Sequence, residues 1–294
     1  MKKIVMSVVF VIIITMFCSC TKQGDNDLEV SKDTQKEISN IEKKYDINLI
    51  YGSDTIEGQI PFEYKLISNT EDLELALQDM GKIFSRFPDD WAMEIANAEM
   101  ELDIIEKVEN VSVVLCEDLA DDKDTNGNEY ERSSGFHIVN DTLYLFADVH
   151  NFEPRIALAE MIVTRIIEKA VVDNEVSELI QQKTRLNVCE LFESNNPDGF
   201  DYLEGVSEIP EEYNKYLFQS GKDSAEVYFV REEAMYSSYL DCLYTISPLI
   251  YTDEDEELPA AYDCRRVSNK CTLFIMNSSY MFDGEFNYWT RWFK

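Results

Sequence analysis

The sequence predicts an α+β domain with a small N-terminal sheet, accompanying helices and a mostly helical C-terminal half. Two observations support this class. The chain has 294 residues, of which 45% are apolar and 12% aromatic, so it has enough apolar surface to bury a core. Short runs typical of strands fall early in the chain, whereas apolar stripes with the helical period of 3.6 residues continue to late positions.

The predicted strands are short runs of β-branched and apolar residues. The first covers residues 47–51. The second covers residues 111–115 and is apolar enough to be buried. A polar loop over residues 118–134 then leads to two runs that alternate as strands do, residues 135–139 and residues 142–146.

The predicted helices follow apolar residues spaced three and four positions apart. Asn69 or Thr70 caps a helix that runs over about residues 70–84, and another follows over residues 91–100. A proline opens a long helix over about residues 154–172, since the first turn of a helix tolerates proline. The remainder of the chain is predicted to be mostly helical.

The chain is strongly acidic, with 58 Asp and Glu against 26 Lys and Arg, which gives a net charge of −32. A field of this sign repels the phosphates of nucleic acids, so no nucleic-acid partner is expected. It also repels anionic lipid surfaces, so any membrane attachment must be covalent or hydrophobic. Because the chain has only two histidines, a site that needs three imidazoles is excluded.

The N-terminus has the pattern of an export signal. A basic start precedes an apolar run over residues 4–17, which is too short to span a bilayer comfortably and ends in small residues and cysteines. This resembles a bacterial lipoprotein signal peptide of residues 1–19, with Cys20 carrying palmitate-type acyl chains after cleavage. Cys18 is a poorer acceptor because bulky residues precede it. We expect lipid anchoring in the bacterial outer membrane; an uncleaved anchor or plain secretion is the alternative.

The mature chain is predicted to begin with a flexible tether. Residues 20–37 are polar and have little to bury, whereas residues 38–294 are predicted to form the domain. Outside the cytoplasm a disulfide is permitted, and Cys264 and Cys271 are the nearest cysteine pair in sequence. Cys116 directly follows a predicted buried strand, so we expect an inert, buried thiol there.

One loop has the opening pattern of a calcium site. Asp122, Asp124 and Asn126 place oxygen atoms at the first, third and fifth positions, and a glycine follows for the sharp turn. An EF-hand needs a glutamate at the twelfth position, which is Ser133 here, so an EF-hand is not expected. A looser Ca²⁺ loop and a solvated hairpin loop both fit this composition.

The order of elements and two later segments resemble a known family. Residues 196–202 read Asn-Pro-Asp-Gly-Phe-Asp-Tyr, and residues 228–237 read Tyr-Phe-Val-Arg-Glu-Glu-Ala-Met-Tyr-Ser. These segments, and the layout of helix, strand, loop, strand and buried helix, resemble the zincin metallopeptidases, in particular bacterial zinc-binding metallopeptidase lipoproteins. The similarity extends from about residue 38 to the C-terminus, where residues 270–275 resemble the closing helix of the family. It implies a zincin-like fold.

The chain departs from this family at the zinc ligands. The family helix carries His-Glu-x-x-His, in which two imidazoles bind zinc and the glutamate activates the metal-bound water. Here Glu160 falls on the general-base position, while Ala159 and Val163 fall on the two histidines. In the later acidic motif Asp241 persists, but Tyr244 takes the position of the third ligand. The resemblance therefore implies a degenerate cleft without a zinc site, and no cofactor is expected apart from the candidate Ca²⁺.

These features lead to one main functional hypothesis and two alternatives. The main hypothesis is a non-catalytic relative that binds a peptide or protein partner at the cell surface, in a nutrient-import complex, because related lipoproteins are associated with substrate import. The first alternative is an active metallohydrolase with unusual ligands, drawn from His137, His150, Glu160 and Asp241. The second is a structural surface lipoprotein, in which Glu160 is an ordinary helix carboxylate.

Overall fold

The computed structural model places the predicted strands and helices in the expected order. It describes residues 28, 30–56, 58–97, 108–120, 122–123, 129–169, 171–174, 184–203, 206, 208–218 and 226–282. The strands are β1 (Asn48–Ile50), β2 (Tyr64–Leu66), β3 (Asn110–Leu119), β4 (Asp122–Lys123), β5 (Glu129–Tyr130), β6 (Ser134–Val139), β7 (Thr142–Asp148), β8 (Val171–Asn174) and β9 (Thr184–Asn187). The α-helices are α1 (Lys32–Tyr45), α2 (Thr70–Phe84), α3 (Trp91–Asn97), α4 (Pro154–Lys169), α5 (Glu190–Glu193), α6 (Ser238–Tyr251) and α7 (Arg265–Ser278).

A five-stranded mixed sheet forms the centre of the molecule. Strands β1, β3 and β7 are parallel neighbours, and β6 pairs antiparallel with β7. Strand β2 pairs antiparallel with the last residues of β3, beyond the stretch that pairs with β1. The mixed α+β class is therefore confirmed. The antiparallel β6 lies at the end of the strand order, next to the strand that leads into α4.

The two faces of this sheet bury different cores, because alternate residues of a strand point to opposite faces. On one face, side chains of β3 and β7 join the main core with the helices: Val111, Val113, Leu115, Leu143, Leu145 and Ala147. On the other face, their neighbours join a smaller core with the segment around β2: Val114, Cys116, Tyr144 and Phe146. Since β3 is apolar on both faces, its sequence lacks the alternation of a half-exposed strand.

The first long helix agrees with its prediction. Helix α2 begins at Thr70 and ends at Phe84, and the side chain of Asn69 caps it by accepting a hydrogen bond from the Asp72 N–H at 2.8 Å. Its buried positions follow the helical period and include Leu73, Leu77 and Met80. Local capping and apolar spacing were therefore sufficient to predict this element.

The helix predicted for residues 154–172 ends earlier in the structure. Helix α4 ends at Lys169, and strand β8 begins at Val171 and pairs antiparallel with β9. Val171 and Val172 are β-branched and fit a strand better than the last turn of a helix. Residues 171–174 are therefore a strand and not the end of a helix. The neighbouring residues do not signal this, because the partner strand β9 begins only at Thr184.

The first helix begins within the predicted tether. Helix α1 begins at Lys32, where the side chain of Ser31 accepts a hydrogen bond from the Thr34 N–H at 3.1 Å. Its buried face includes Ile38 and Tyr45, so residues 32–37 form the first turns of a packed helix instead of a tether. The predicted signal peptide and Cys20 lie outside the described residues. In the part of the chain that is described, no helix is long and apolar enough to cross a membrane.

Candidate functional site

Helix α4 is buried on nearly every side, between the sheet and helix α6. It packs against β6 and β7 on one side and against α6, α2 and α3 on others. A helix enclosed in this way is expected to be apolar all round. Most of its residues are accordingly apolar and fully buried: Ala157, Leu158, Ala159, Met161, Ile162, Val163 and Ile166. Any polar side chain on such a helix therefore needs a particular explanation.

Glu160 is a buried carboxylate on this helix, with only 5% of its surface exposed. The hydroxyl of Ser133, which directly precedes β6, donates a hydrogen bond to its Oε2 atom. The Oε1 atom accepts no hydrogen bond from any residue that the structure describes. Burial raises the pKa of Glu160, while the hydrogen bond from Ser133 and the positive charge of Arg231 oppose that rise.

A second set of polar groups lies one helical turn further along α4, on the same face as Glu160. The Thr164 Oγ1 atom is 3.0 Å from the Tyr239 hydroxyl and 3.3 Å from the Ser134 hydroxyl. These contacts join α4 to the edge strand β6 and to the first turn of α6. The polar face of α4 is therefore held against two other elements by hydroxyl groups.

A cavity of about 60 Å³ opens beside Glu160, between the start of β6, helix α4 and helix α6. We call it the Glu160 cavity. Its lining residues are Glu131, Arg132, Ser133, Ser134, Glu160, Tyr239, Leu240, Leu243 and Tyr244. One water needs roughly 10–15 Å³ measured in this way, so a few waters or a small chemical group can enter. Pockets that enclose whole drug-sized ligands are roughly 300–1,000 Å³.

Tyr244 lines this cavity and is fixed from outside by a guanidinium group. The Arg231 guanidinium lies 4.3 Å from the centre of the Tyr244 ring. Arg231 also donates two hydrogen bonds to the Glu233 carboxylate, at 2.7 and 2.6 Å, which lowers the pKa of Glu233. Burial, together with the charge of Glu160, raises the pKa of Tyr244 to about 12, so the phenol is neutral at pH 7.

The structure brings together only part of the cleft that the resemblance implied. Glu160 and Tyr244 line the same cavity, although they are far apart in sequence. Ala159 and Val163 are instead fully buried in the main core. Asp241 has no exposed surface and does not line the cavity. Successive helix residues point about 100° apart, so positions next to Glu160 on α4 necessarily face elsewhere.

Asp241 forms a fully buried ion pair with Lys270 of helix α7. Both side chains have 0% exposure, and the Lys270 ammonium donates to the Asp241 carboxylate. The Tyr202 hydroxyl donates to the same carboxylate at 2.9 Å, and the Thr245 hydroxyl donates to it at 3.2 Å. Burial raises the pKa of Asp241 and lowers the pKa of Lys270, while each partner's charge opposes the shift of the other. This carboxylate is therefore committed to structure.

The segments that carry the family resemblance meet at this ion pair. Lys270 also donates to the Tyr228 carbonyl oxygen at 2.9 Å and lies 4.3 Å from the centre of the Phe229 ring. Tyr202 and Tyr228 come from the two later segments that resemble the metallopeptidase lipoproteins, Asp241 comes from the position of their acidic motif, and Lys270 begins the stretch that resembles their closing helix. These four residues thus form a structural cluster around the buried ion pair and do not line the cavity.

The two histidines lie apart from Glu160. His137 pairs across the sheet with Tyr144, and Tyr144 belongs to the smaller core on the face away from α4. The Nδ1 atom of His150 lies 2.6 Å from the Asp72 carboxylate, near the start of α2. This hydrogen bond raises the pKa of His150. The ligand set considered for an unusual metallohydrolase is therefore not assembled.

The possible metal-ligating side chains are dispersed in the part of the chain that the structure describes. Among them, no three His, Cys, Asp or Glu side chains lie close enough together to hold a metal ion. Asp122 of the candidate calcium loop lies in β4, which pairs with β5 as a hairpin. Asp124 and Asn126 lie outside the described residues.

The cysteines beyond residue 100 are all buried, and none of them forms a disulfide: Cys116, Cys189, Cys242, Cys264 and Cys271. The nearest pair in sequence, Cys264 and Cys271, is not bonded. Cys116 has 0% exposure, and burial raises the pKa of its thiol, so the expectation of a buried thiol is confirmed.

Several residues around Glu160 were missed by sequence reasoning. The sequence predicts a polar loop at Ser133 and Ser134, and its patterns give no indication that Tyr239 lies at the cavity. Their one sequence signal is that hydroxyl residues stand directly before the edge strand and at the start of α6. Arg231 belongs to residues 228–237, and the pattern of this segment does not indicate that its guanidinium packs on the Tyr244 ring.

Comparison of the chain with known protein families, with characterised proteins and with solved structures finds no match. The candidate site therefore rests on the geometry of this molecule.

Proposed function

We propose that this protein is a non-catalytic relative of the zincin metallopeptidase lipoproteins and acts by binding a partner at the Glu160 cavity. The observation that carries the proposal is the environment of Glu160. Its carboxylate accepts a hydrogen bond from the Ser133 hydroxyl and lines a cavity with Tyr244, with neither histidine beside it. In the resembled enzymes, the equivalent glutamate faces a zinc-bound water.

The position of α4 supports a zincin-like fold as part of this proposal. The helix follows the β6–β7 hairpin directly, packs against the sheet and also contacts α6. This agrees with the layout of strands followed by a buried helix that the resemblance implies. It also agrees with the pairing of a residue from that helix, Glu160, with Tyr244 from the later motif.

Side-chain chemistry disfavours hydrolysis at this position. Zinc in proteins is held by imidazole, thiolate or carboxylate groups, whereas Ala159 and Val163 offer only hydrocarbon packed in the core. The neutral Tyr244 phenol is a weak substitute for a carboxylate ligand.

The location of the protein belongs to the same proposal. Acylation at Cys20 would anchor the chain in the outer membrane, and the ordered domain would be exposed to partners there. The resemblance to import-associated lipoproteins supports a place in a surface nutrient-import complex. The net charge of −32 favours partners with positively charged surfaces.

Metal analysis tests the non-catalytic part of the proposal. The full-length chain, purified from zinc-supplemented cells, is expected to hold far less than one zinc per chain and to leave casein intact. Stoichiometric zinc that is lost on Glu160→Gln or His150→Ala would instead identify an active metalloprotein. Peptidase activity that a chelator removes would lead to the same conclusion.

Affinity purification from membranes tests binding at the cavity. A partner should be recovered in constant ratio with the wild-type chain and should be depleted with Glu160→Gln. Glu153→Gln is the matched control, since Glu153 lies just before α4 and its side chain is 65% exposed. If the protein is a purely structural lipoprotein, the same proteins should co-purify with the wild-type chain, with Glu160→Gln and with Glu153→Gln.

A further inference from the structure

We propose that the Glu160 cavity binds the primary ammonium group of a peptide, supplied by a lysine side chain or by a free N-terminus. This inference rests on the proposed binding function and names the chemistry of its ligand. It is carried by the Oε1 atom of the Glu160 carboxylate, which receives no donor from the described residues, by the hydroxyl groups around it and by the size of the cavity.

The cavity contains an acceptor that lacks a donor. Glu160 is 5% exposed, and its Oε2 atom is occupied by Ser133, whereas Oε1 receives no hydrogen bond from the described part of the chain. The hydroxyl of Tyr244, which lines the same cavity, likewise has no hydrogen-bond partner among the described residues.

The nearby cations already have other partners. The Arg231 guanidinium is held by two hydrogen bonds to Glu233 and lies over the Tyr244 ring. Arg132 donates to the Ser134 carbonyl oxygen at 2.7 Å and lies over an aromatic ring outside the cavity. Neither of these two guanidinium groups donates a hydrogen bond to Glu160, so a donor can come from a ligand.

An ammonium group suits this site better than other cations. A guanidinium is best recognised by both oxygens of a carboxylate, but Ser133 already uses one oxygen of Glu160. Divalent metal ions need several strong ligands, and no such group of three acidic, His or Cys side chains exists in the described residues. An ammonium presents three donors from one atom, which matches one free carboxylate oxygen surrounded by hydroxyls.

The size and walls of the cavity agree with this ligand. A volume of about 60 Å³ admits an ammonium group with a short part of its chain, but not a bulky side chain. Leu240 and Leu243 form an apolar wall against which methylene groups can pack. The acidic surface of the whole chain increases the local concentration of cationic peptides.

Peptide titrations of the purified full-length chain in neutral detergent test the inference. The probes are acetyl-Gly-Lys-Gly-amide, its norleucine analogue without the ammonium, and Gly-Gly-Gly-amide with a free or acetylated N-terminus. The readout is the NMR shift of the Leu240 and Leu243 methyl groups. Saturable shifts are expected with the lysine peptide or the free N-terminus, and the stronger of the two identifies the source of the ammonium. The norleucine and acetylated controls should give none.

Variants then identify the acceptor. Glu160→Gln keeps the shape of the side chain and removes its charge, so affinity for the ammonium probe should fall by at least about tenfold. Tyr244→Phe should weaken binding by a smaller factor. Glu153→Gln removes the same charge from an exposed position before α4 and should leave affinity unchanged.

Three results would overturn the inference: equal shifts with lysine and norleucine peptides, no shift with any probe, or equal losses in Glu160→Gln and Glu153→Gln. If Glu160→Gln does not fold, the comparison of probes on the wild-type chain and on Tyr244→Phe still decides. If the wild-type chain holds no zinc, shows no peptidase activity and binds none of the ammonium probes, this inference is wrong and the proposed function is not contradicted. Stoichiometric zinc would contradict the proposed function itself.

Discussion

Glu160 and Asp241 are both buried carboxylates, but their surroundings differ. Asp241 receives an ammonium and two hydroxyl donors, so its charge is compensated inside the protein. Glu160 receives one hydroxyl donor, and the guanidinium group of Arg231, whose charge acts on Glu160, is hydrogen-bonded to Glu233 instead. A buried group keeps its charge only when it is paired and hydrogen-bonded. Asp241 is therefore suited to structure, whereas Glu160 remains available for a ligand.

The raised pKa of Glu160 predicts how its replacement affects stability. Because the folded state binds a proton at Glu160 more tightly than the unfolded state, the carboxyl favours folding most below the unfolded pKa of about 4.3. That contribution is lost as pH rises through the pKa of the folded state. Glu160→Gln should thus be more stable than the wild type at pH 8 and no more stable at pH 4. Urea denaturation at both pH values measures this; a difference independent of pH would refute it.

His150 is a second titrating group, and it lies beside Asp72 at the protein surface. Their hydrogen bond raises the pKa of His150, so its contribution to stability is complete below the ordinary histidine pKa of about 6.5 and disappears as pH rises through the folded pKa. Asp72→Asn should lower the pKa of His150, as followed by NMR of the imidazole. Glu71→Gln, an exposed neighbour, is the control and should cause a much smaller change.

Helix α6 supplies Tyr239, Leu240, Leu243 and Tyr244 to the cavity, so its N-terminus fixes the site. The Ser237 side chain caps this helix by accepting a hydrogen bond from the Leu240 N–H at 3.1 Å. Ser237→Ala should cost about 1 kcal/mol of stability, while Ser237→Asp should retain most of it. Thermal or urea denaturation compares the three chains; equal stability of all three would show that the cap is unimportant.

Helices α6 and α7 are joined by the Asp241–Lys270 pair. Removing one partner leaves an uncompensated buried charge, so Asp241→Leu or Lys270→Met should each cost about 3–5 kcal/mol. Replacing both side chains with hydrocarbon, in the double variant Asp241→Leu with Lys270→Met, should cost much less than the sum of the two single losses in stability. Denaturation of the four chains forms a double-mutant cycle. Additive losses would mean that the pair is not coupled as the structure indicates.

At the scale of the whole molecule, the predicted acylation of Cys20 can be tested as a membrane anchor. The strongly acidic chain disfavours binding to anionic lipids by charge alone. Removing the predicted acylation site by Cys20→Ala should shift the protein from the membrane fraction to the soluble fraction, whereas Cys18→Ala should not. Fractionation followed by immunoblotting measures both; retention of the Cys20→Ala chain in membranes would contradict acylation at that residue.

Much of the element order could be predicted because its signals are local. The cap at Asn69, the apolar spacing that follows it and the β-branched run of β3 lie within a few residues of the structure they predict. The β8–β9 hairpin could not be predicted in this way, because a short strand is stable only when it pairs with its partner. Nine residues separate the end of β8 from the start of β9. The short strand β2 was missed for the same reason.

The sequence by itself determined the α+β class, the strong negative charge, the absence of histidine from α4 and the caps of the main helices. Only the tertiary structure decided that Glu160 contacts Ser133 and shares a cavity with Tyr244, and that Asp241 is bound to Lys270. Periodicity and capping depend on neighbours along the chain, so a sequence reveals them. The partner of a buried polar group depends instead on how distant elements pack, and that is settled only when the core is formed.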